Sequence, residues 1–253
     1  MKKILLVMCV FGAIAANAQS VVPTEDAKMT PEMTEFWTPE VKVVTPAASN
    51  LNAPSDAIVL FDGTSQTLLQ NWTNSKGEAP VWKVADNCVT VVRGTGIIQT
   101  KTPFEDFQLH IEWRTPSEVV GESQGRGNSG IFMQERYELQ VLDNYNNRTY
   151  RNGQAGSFYK QYAPLVNVCK KPGEWQTYDV IYTAPRFKND GTILFPARAT
   201  VIQNGVLVQN NVQLLGHTEY IGIPKYQQHG PAPLVLQEHG NPVSYRNIWI
   251  RNL

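Results

Sequence analysis

Short runs of apolar and β-branched residues alternate with turn residues along most of this chain, and inside the runs the alternation has a period of two. In Phe107–Arg114, Phe107, Leu109, Ile111 and Trp113 fall on one side, and Gln108, His110, Glu112 and Arg114 on the other. Successive side chains of a strand point to opposite faces, so the first set suits the space between two sheets and the second suits solvent or a groove. The same reading predicts strands over Ile58–Phe61, Val81–Val84, Cys88–Val92, Gly96–Thr100, Gly130–Gln134, Tyr137–Leu142, Tyr178–Thr183, Ala199–Gln203, Val206–Gln209, Leu234–Gln237 and Tyr245–Arg251. Asn204-Gly205, between two of these runs, is a strong hairpin signal. No helical apolar period persists beyond a few residues, and there is no internal repeat. Many short strands at this spacing predict an all-β fold, a sandwich or jelly roll.

Two stretches depart from this pattern. Lys2 and Lys3 precede an apolar run from Ile4 to Ala16, too short for a span of ~20 residues. Ala16-Asn17-Ala18 follows with the small-residue spacing of a cleavage site. Residues 1–18 are therefore expected to be an export signal, and the mature chain to be periplasmic or secreted. Cys9 lies inside the apolar run, which is a poor lipoprotein site, and no later segment is apolar enough to span a bilayer. Residues 19–55 are rich in Pro, Thr, Ala and Asn without any period. They read as an extended leader, either laid over the domain through Phe36, Trp37 and Val41 or left as a linker. The β pattern occupies residues 56–253.

Charge removes some classes of partner. The chain has 22 basic and 22 acidic residues and no basic block, so nucleic acid and anionic membranes are not expected. Cys88 and Cys169 are the cysteines that follow the signal; export permits a disulfide between them, and their positions leave the matter open. No Cys-x-x-Cys or His-x-x-x-His pattern suggests structural zinc. No loop has the density of oxygen ligands that calcium needs, so calcium is left open and no metal or other cofactor is assigned. There is no dinucleotide fingerprint.

Candidate chemistry concentrates between Arg126 and Asn144, RGNSGIFMQERYELQVLDN. On the strand, Glu138 and Gln140 share one face while Tyr137, Leu139 and Val141 share the other. Glu138-x-Gln140-x-x-Asp143 is similar to the Glu-x-Asp-x-x-Glu strand of laminarinase-type hydrolases, where a bulge brings the third residue to the same face. Here Gln140 replaces the central acid, which weakens a two-carboxylate mechanism. The competing reading is a surface strand. His239 ends the strand before Gly240 and is suited to proton transfer near neutral pH, although a strand-end histidine often serves only as a hydrogen-bonder. His110 and His229 carry the same ambiguity, and His217 ranks below them. The turn Gly125–Gly130 is no phosphate loop, but Arg126 and Asn128 could bind sugar hydroxyls. There is no Gly-x-Ser-x-Gly nucleophile motif. Asn71-Trp-Thr and Asn147-Arg-Thr match glycosylation acceptors without further support.

Several segments, in order over residues 56–253, resemble one family. They are Leu60-Phe-Asp-Gly63, Phe107-Gln-Leu-His-Ile-Glu-Trp-Arg114, Gly127-Asn-Ser-Gly-Ile131, Tyr137-Glu-Leu-Gln-Val-Leu-Asp143, Gly173-Glu-Trp-Gln176, Asn204-Gly205, Leu236-Gln237 with His239-Gly240, and Tyr245-Arg-Asn-Ile248. The family is the 3-keto-disaccharide hydrolase domain. The resemblance implies a concanavalin A-like jelly-roll β-sandwich of two antiparallel sheets with a carbohydrate site on the concave sheet. It implies cleavage of glycosides already oxidised at C3, by elimination or net hydrolysis. The matching positions are Glu112, Asn128, Glu138, Gln140, Asp143, Gln237, His239 and Arg246.

That chemistry suits these residue types. A ketone at C3 acidifies the C2 proton; a base removes it, the C1 substituent leaves, and water can add afterwards. One base, one acid and donors for an enolate oxygen suffice. Glu138 and His239 are the expected acid–base pair. His110, Glu112, Arg126, Asn128, Gln140, Asp143, Gln237 and Arg246 are the expected substrate contacts, with the Gln140 amide donating to the enolate. A sugar 3-dehydrogenase is the implied pathway partner. The alternatives are a conventional glycoside hydrolase and a non-catalytic carbohydrate-binding module, because fold does not dictate function.

Overall fold

The computed structural model describes residues 28–49 and 52–253. The expected export signal, residues 1–18, lies outside the described residues. The described residues fall into two units, 28–43 and 44–253. In the first, Pro31–Thr34 forms a 3-10 turn, and Phe36, Trp37 and Val41 are exposed. No helix among the described residues is long and apolar enough to cross a membrane.

Among its described residues the second unit has fifteen strands, one short α-helix and two 3-10 turns. In chain order the strands are β1 (Ile58–Phe61), β2 (Trp72–Asn74), β3 (Lys83–Ala85), β4 (Cys88–Thr90), β5 (Ile98–Thr100), β6 (Phe107–Arg114), β7 (Ser129–Met133), β8 (Tyr137–Val141), β9 (Gln176–Thr183), β10 (Arg186–Phe187), β11 (Ile193–Phe195), β12 (Arg198–Gln203), β13 (Val206–Gln213), β14 (Val235–Leu236) and β15 (Ser244–Asn252). An eight-stranded antiparallel sheet has the order β13-β12-β9-β6-β15-β4-β3, with β1 also on β15. A five-stranded sheet has the order β2-β5-β14-β7-β8, and β10 pairs with β11 as a ribbon. The all-β jelly-roll expectation holds.

The helix, α1 (Ser65–Asn71), is the element that periodicity missed. It buries only Leu68, so it leaves no apolar stripe in the sequence. Its start is specified by a cap instead: the Thr64 hydroxyl accepts from the Thr67 amide, satisfying one of the free N–H groups of the first turn. β2, β10 and β11 were also unannounced, being two or three residues long. Neither Cys88 nor Cys169 is in a disulfide; both thiols are free.

The two sheets meet face to face over the positions that alternation assigns inward. Phe107, Leu109, Ile111 and Trp113 of β6, Tyr178, Val180 and Tyr182 of β9, and Tyr137, Leu139 and Val141 of β8 are all buried in one core. Each such side chain contributes roughly 1.5–3 kcal/mol through its burial. Three core tyrosines also cross the sandwich with their hydroxyls, because a buried phenol needs a partner. Tyr178 Oη donates to the Gln140 carbonyl at 2.8 Å, Tyr182 Oη to Gln134 Oε1 at 2.8 Å, and Tyr245 Oη to Ser129 Oγ at 2.6 Å. These bonds anchor β7, β8 and the β7–β8 turn to the larger sheet and hold rigid the strands that carry the site.

Candidate active site

With Tyr137, Leu139 and Val141 turned into the core, Glu138 and Gln140 must face outward from the smaller sheet. β8 is the edge of that sheet, and its outer side is covered rather than exposed. The Gln140 amide donates to the Ser157 carbonyl at 2.9 Å, the Tyr159 amide to the Glu138 carbonyl at 3.1 Å, and the Glu138 amide to Thr218 Oγ1 at 3.0 Å. Segments 150–160 and 218–220 thereby rise beside the strand as a wall. The result is a cavity of about 520 Å³. Asn128, Glu138, Gln140, Gln237 and His239 line it, joined by Gln124, Phe132, Tyr150, Tyr159, Lys160, Thr218 and Tyr220.

A glycine opens the floor. Gly130 pairs with Gln140 across β7 and β8, and its carbonyl accepts from the Gln237 amide at 2.9 Å. A Cβ at Gly130 would fall 2.6 Å from Glu138 Oε1 and 3.2 Å from Gln237 Oε1. Only a residue without a side chain leaves the two groups room around the gap.

Glu138 is 6 % exposed, and its carboxyl makes no hydrogen bond within the described residues. Burial alone pushes its pKa up to about 8, since a desolvated carboxylate is disfavoured. At neutral pH the group is mostly a carboxylic acid. It is also the one carboxyl that lines this cavity among the described residues.

The amides around it have orientations forced by their partners. Gln124 Nε2 donates to Thr149 Oγ1 and the Gly153 carbonyl, both at 2.8 Å. Asn128 Nδ2 donates to the Gln124 carbonyl at 2.6 Å, which turns Asn128 Oδ1 toward Gln140. Gln140 Nε2 therefore donates to Asn128 Oδ1 at 3.1 Å and, more weakly, to Gln124 Oε1 at 3.4 Å. Its Oε1 is left buried without a partner, as is Gln237 Oε1. The expectation that Gln140 donates to an enolate is not what this geometry offers: its N–H groups are already committed, and its free atom is an acceptor. An unpaired buried acceptor costs about 1–3 kcal/mol, which a ligand hydroxyl would recover.

His239 sits at the exposed rim, where the chain turns through Gly240 at φ +77°. Arg126 and Asp143 do not line this cavity. Arg126 Nε donates to Asp143 Oδ2 at 2.6 Å and its Nη2 to the Tyr145 carbonyl at 2.9 Å. The pair clamps the Gly125–Gly130 turn that delivers Asn128, and it borders a separate hollow with Val119 and Val120.

Nor does the structure bring His110, Glu112 and Arg246 to Glu138. They lie on the outward side of β6 and β15, in the other sheet, and form their own network. His110 Nδ1 and Asp179 Oδ1 are 2.7 Å apart. Arg246 Nε donates to Glu112 Oε2 at 2.7 Å, and Asn247 Nδ2 to Glu112 Oε1 at 2.9 Å. The strand register shifts between Arg246 and Trp249, and Asn247 has φ +46°; this bulge aims Asn247 at Glu112. Burial pushes the His110 pKa down, but hydrogen bonds and charge from Asp179 and Glu112 outweigh it and raise the value to about 9. Burial raises Glu112, yet its bonds to His110, Asn247 and Arg246 bring it to about 2. His217 and His229 stand apart from both groups, beside Tyr137, whose hydroxyl is 2.8 Å from His229 Nε2. Among the described residues no group of three or more His, Cys, Asp and Glu side chains is placed to hold a metal ion.

Residues 56–251 match the family described as the 3-keto-alpha-glucoside-1,2-lyase-like domain. The chain belongs to that family. A solved structure of a candidate glycosyl hydrolase from Parabacteroides distasonis ATCC 8503 is 55% identical, covers 91% of this chain and 100% of that one, and superposes with a TM-score of 0.86. A second candidate glycosyl hydrolase of the same organism, at 20% identity, covers 78% of this chain and 94% of that one with a TM-score of 0.57, and shares the fold. No curated protein matches the chain. Membership turns the resemblance read in the sequence into the family itself, and places the chain among carbohydrate-active enzymes. For this lyase-like domain, sequence reasoning missed the wall residues Tyr150, Tyr159, Lys160 and Tyr220. They lie outside the strands, in loops without periodicity. The one available signal was the density of tyrosines from Tyr145 to Tyr162, an aromatic supply suited to sugar rings.

Proposed function

We propose that this protein cleaves glycosides oxidised at C3 by eliminating the C1 substituent. His239 at the rim takes the C2 proton, and Glu138, protonated at rest, gives its proton to the departing C1 oxygen. The products are the released alcohol and an enone with a C1–C2 double bond, to which water can add. The observation that carries the reading is that one carboxyl, itself buried, lines the cavity among the described residues. A conventional glycosidase works with two carboxyl groups flanking the scissile bond, and here Glu138 alone lines the cavity among the described residues. An elimination next to a ketone needs one acid and one base, and a carboxyl raised to about 8 is matched to the acid's task. Membership in the lyase-like family supports the same chemistry. The substrate implies a sugar 3-dehydrogenase upstream, and the basic–apolar start of the chain implies export.

The test is incubation with a 3-keto-glucoside in deuterated water. Deuterium at C2 of recovered sugar, or an enone product, is the expected result. Cleavage with full retention of the C2 proton would show that elimination is not the route.

A further inference from the structure

The cavity sorts its hydrogen-bonding groups by kind. Its floor offers acceptors, the unpartnered Gln140 Oε1 and Gln237 Oε1. Ring hydroxyls can satisfy these; a ketone oxygen, itself only an acceptor, cannot. The donors stand on the wall. Tyr150 Oη and Tyr159 Oη are 2.6 Å apart. The pair carries two protons and its mutual bond uses one, so the second is available to a ligand. That second O–H belongs to the hydroxyl that accepts its neighbour's bond, and polarisation along the chain makes it the stronger donor.

The surroundings hold this pair in place and set a cation beside it. A Cβ at Gly153 would lie 2.1 Å from Tyr150 Cε2, so the ring packs where only glycine admits it. The Gly153 carbonyl also accepts from Gln124 Nε2, which ties the wall to the Gln140 network on the floor. Lys160 places its ammonium 4.3 Å from the Tyr220 ring centroid and 5.7 Å from that of Tyr159. Among the described residues it is the one Lys or Arg that lines the cavity. Burial raises the pKa of both phenols, so both keep their protons through the neutral range.

We propose that the Tyr150–Tyr159 hydroxyl pair is the oxyanion donor of this site, binding the C3 oxygen of the oxidised sugar and stabilising it as an enolate. The assignment rests on the elimination reading. In the first step the C2–H bond breaks, its proton goes to His239 and its electron pair forms C2=C3, leaving C3–O⁻ against the free tyrosine O–H. In the second, C3=O re-forms, the pair shifts to C1=C2, the C1–O bond breaks, and the leaving oxygen takes the proton of Glu138. Donors aimed where charge develops act mainly on the transition state, so they lower the barrier far more than they tighten ground-state binding.

The experiment compares wild type, Tyr150→Phe and Tyr159→Phe on methyl 3-keto-glucoside. Calorimetry with unoxidised methyl glucoside monitors whether the cavity is intact. The variant that loses the inward proton is expected to fall about 10²–10³-fold in kcat, the usual effect of one oxyanion donor. KM and the affinity for the unoxidised sugar are expected to change by less than about threefold, since neither reports the transition state. If both variants keep kcat within about threefold of a wild type that cleaves, the assignment is overturned while the elimination reading stands. If both lose the unoxidised sugar together with kcat, the pair merely supports the cavity and the assignment is likewise overturned. A wild type that leaves the 3-keto-glucoside intact removes the elimination reading, and this assignment with it.

Discussion

The outer faces of the two sheets carry the same kinds of side chain and treat them oppositely. On the larger sheet, His110, Glu112, Asp179, Arg246 and Asn247 satisfy one another, and Arg246 also stacks at 4.2 Å over Trp175. Glu112 is held far below the ordinary glutamate range, at about 2. On the smaller sheet, Glu138 has no partner and rises to about 8, with two amide oxygens unpaired beside it. Hollows of about 490 and 680 Å³ flank the first cluster, against about 520 Å³ at Glu138. Volume therefore does not distinguish the faces. The unmet hydrogen bonds do: on the outer face of the larger sheet the buried Trp249 indole N–H is the exception among the described residues, while Trp113 Nε1 and Gln203 Oε1, also without partners, lie on its core-facing side. A polar group satisfied by its own protein stabilises the fold; one left buried and unsatisfied costs stability until a ligand arrives.

Exchanging each glutamate for its amide breaks the comparison most sharply. Glu138→Gln should lower kcat/KM for a 3-keto-glucoside by about 10³-fold, within the range for a lost general acid, while thermal unfolding stays level or shifts upward. Glu112→Gln should do the reverse. It leaves Arg246 without its counter-charge and His110 with Asp179 alone, and denaturant titration should show a loss of about 3 kcal/mol, as when a buried ion pair is broken, with kcat of the folded fraction unchanged. A Glu112→Gln variant as stable as wild type would end the structural assignment. Gly130→Ala should be smaller and again one-sided. The added methyl crowds Glu138 Oε1 and Gln237 Oε1, so activity should fall about 10–100-fold, in keeping with a misplaced catalytic group, with little change in unfolding.

The gentlest test uses pH. His110 has a raised folded pKa, so its stabilisation is complete below its ordinary 6.5 and is lost as pH climbs through about 9. Glu112 has a lowered one, so its share is complete above 4.5 and disappears as pH falls through about 2. Glu138, raised instead, destabilises the fold increasingly from pH 4.5 up through about 8. The fold should therefore be most stable in mildly acidic solution, and its loss between pH 4.5 and about 8 should shrink in Glu138→Gln. Activity that needs the Glu138 proton should decline as pH passes about 8. A flat stability profile from pH 5 to 9 would contradict both assignments.

Much of the sandwich was legible in the chain. β1 and β6 occur over the residues predicted from alternation, and β7, β8, β9, β12 and β15 begin or end within two residues of the prediction. Strand burial writes itself in a period of two, as with Phe107 to Trp113. The helix α1 was not legible, because one buried leucine makes no period. The wall of the cavity was not legible either: Tyr150 and Tyr159 meet only because Gly153 leaves room for a ring and segment 156–159 lies along the β8 edge.

The chain by itself determined that Glu138 and Gln140 share a face, that Glu112 and His110 share another, and that both faces turn away from the core. Alternation is local, fixed by the geometry of one strand. Whether those faces belong to one site depends on which strands pair, and pairing is a contact between residues far apart in sequence. The fold put β6 and β15 in one sheet and β7, β8 and β14 in the other. That separation made Glu112 half of an ion pair and left Glu138 a solitary acid.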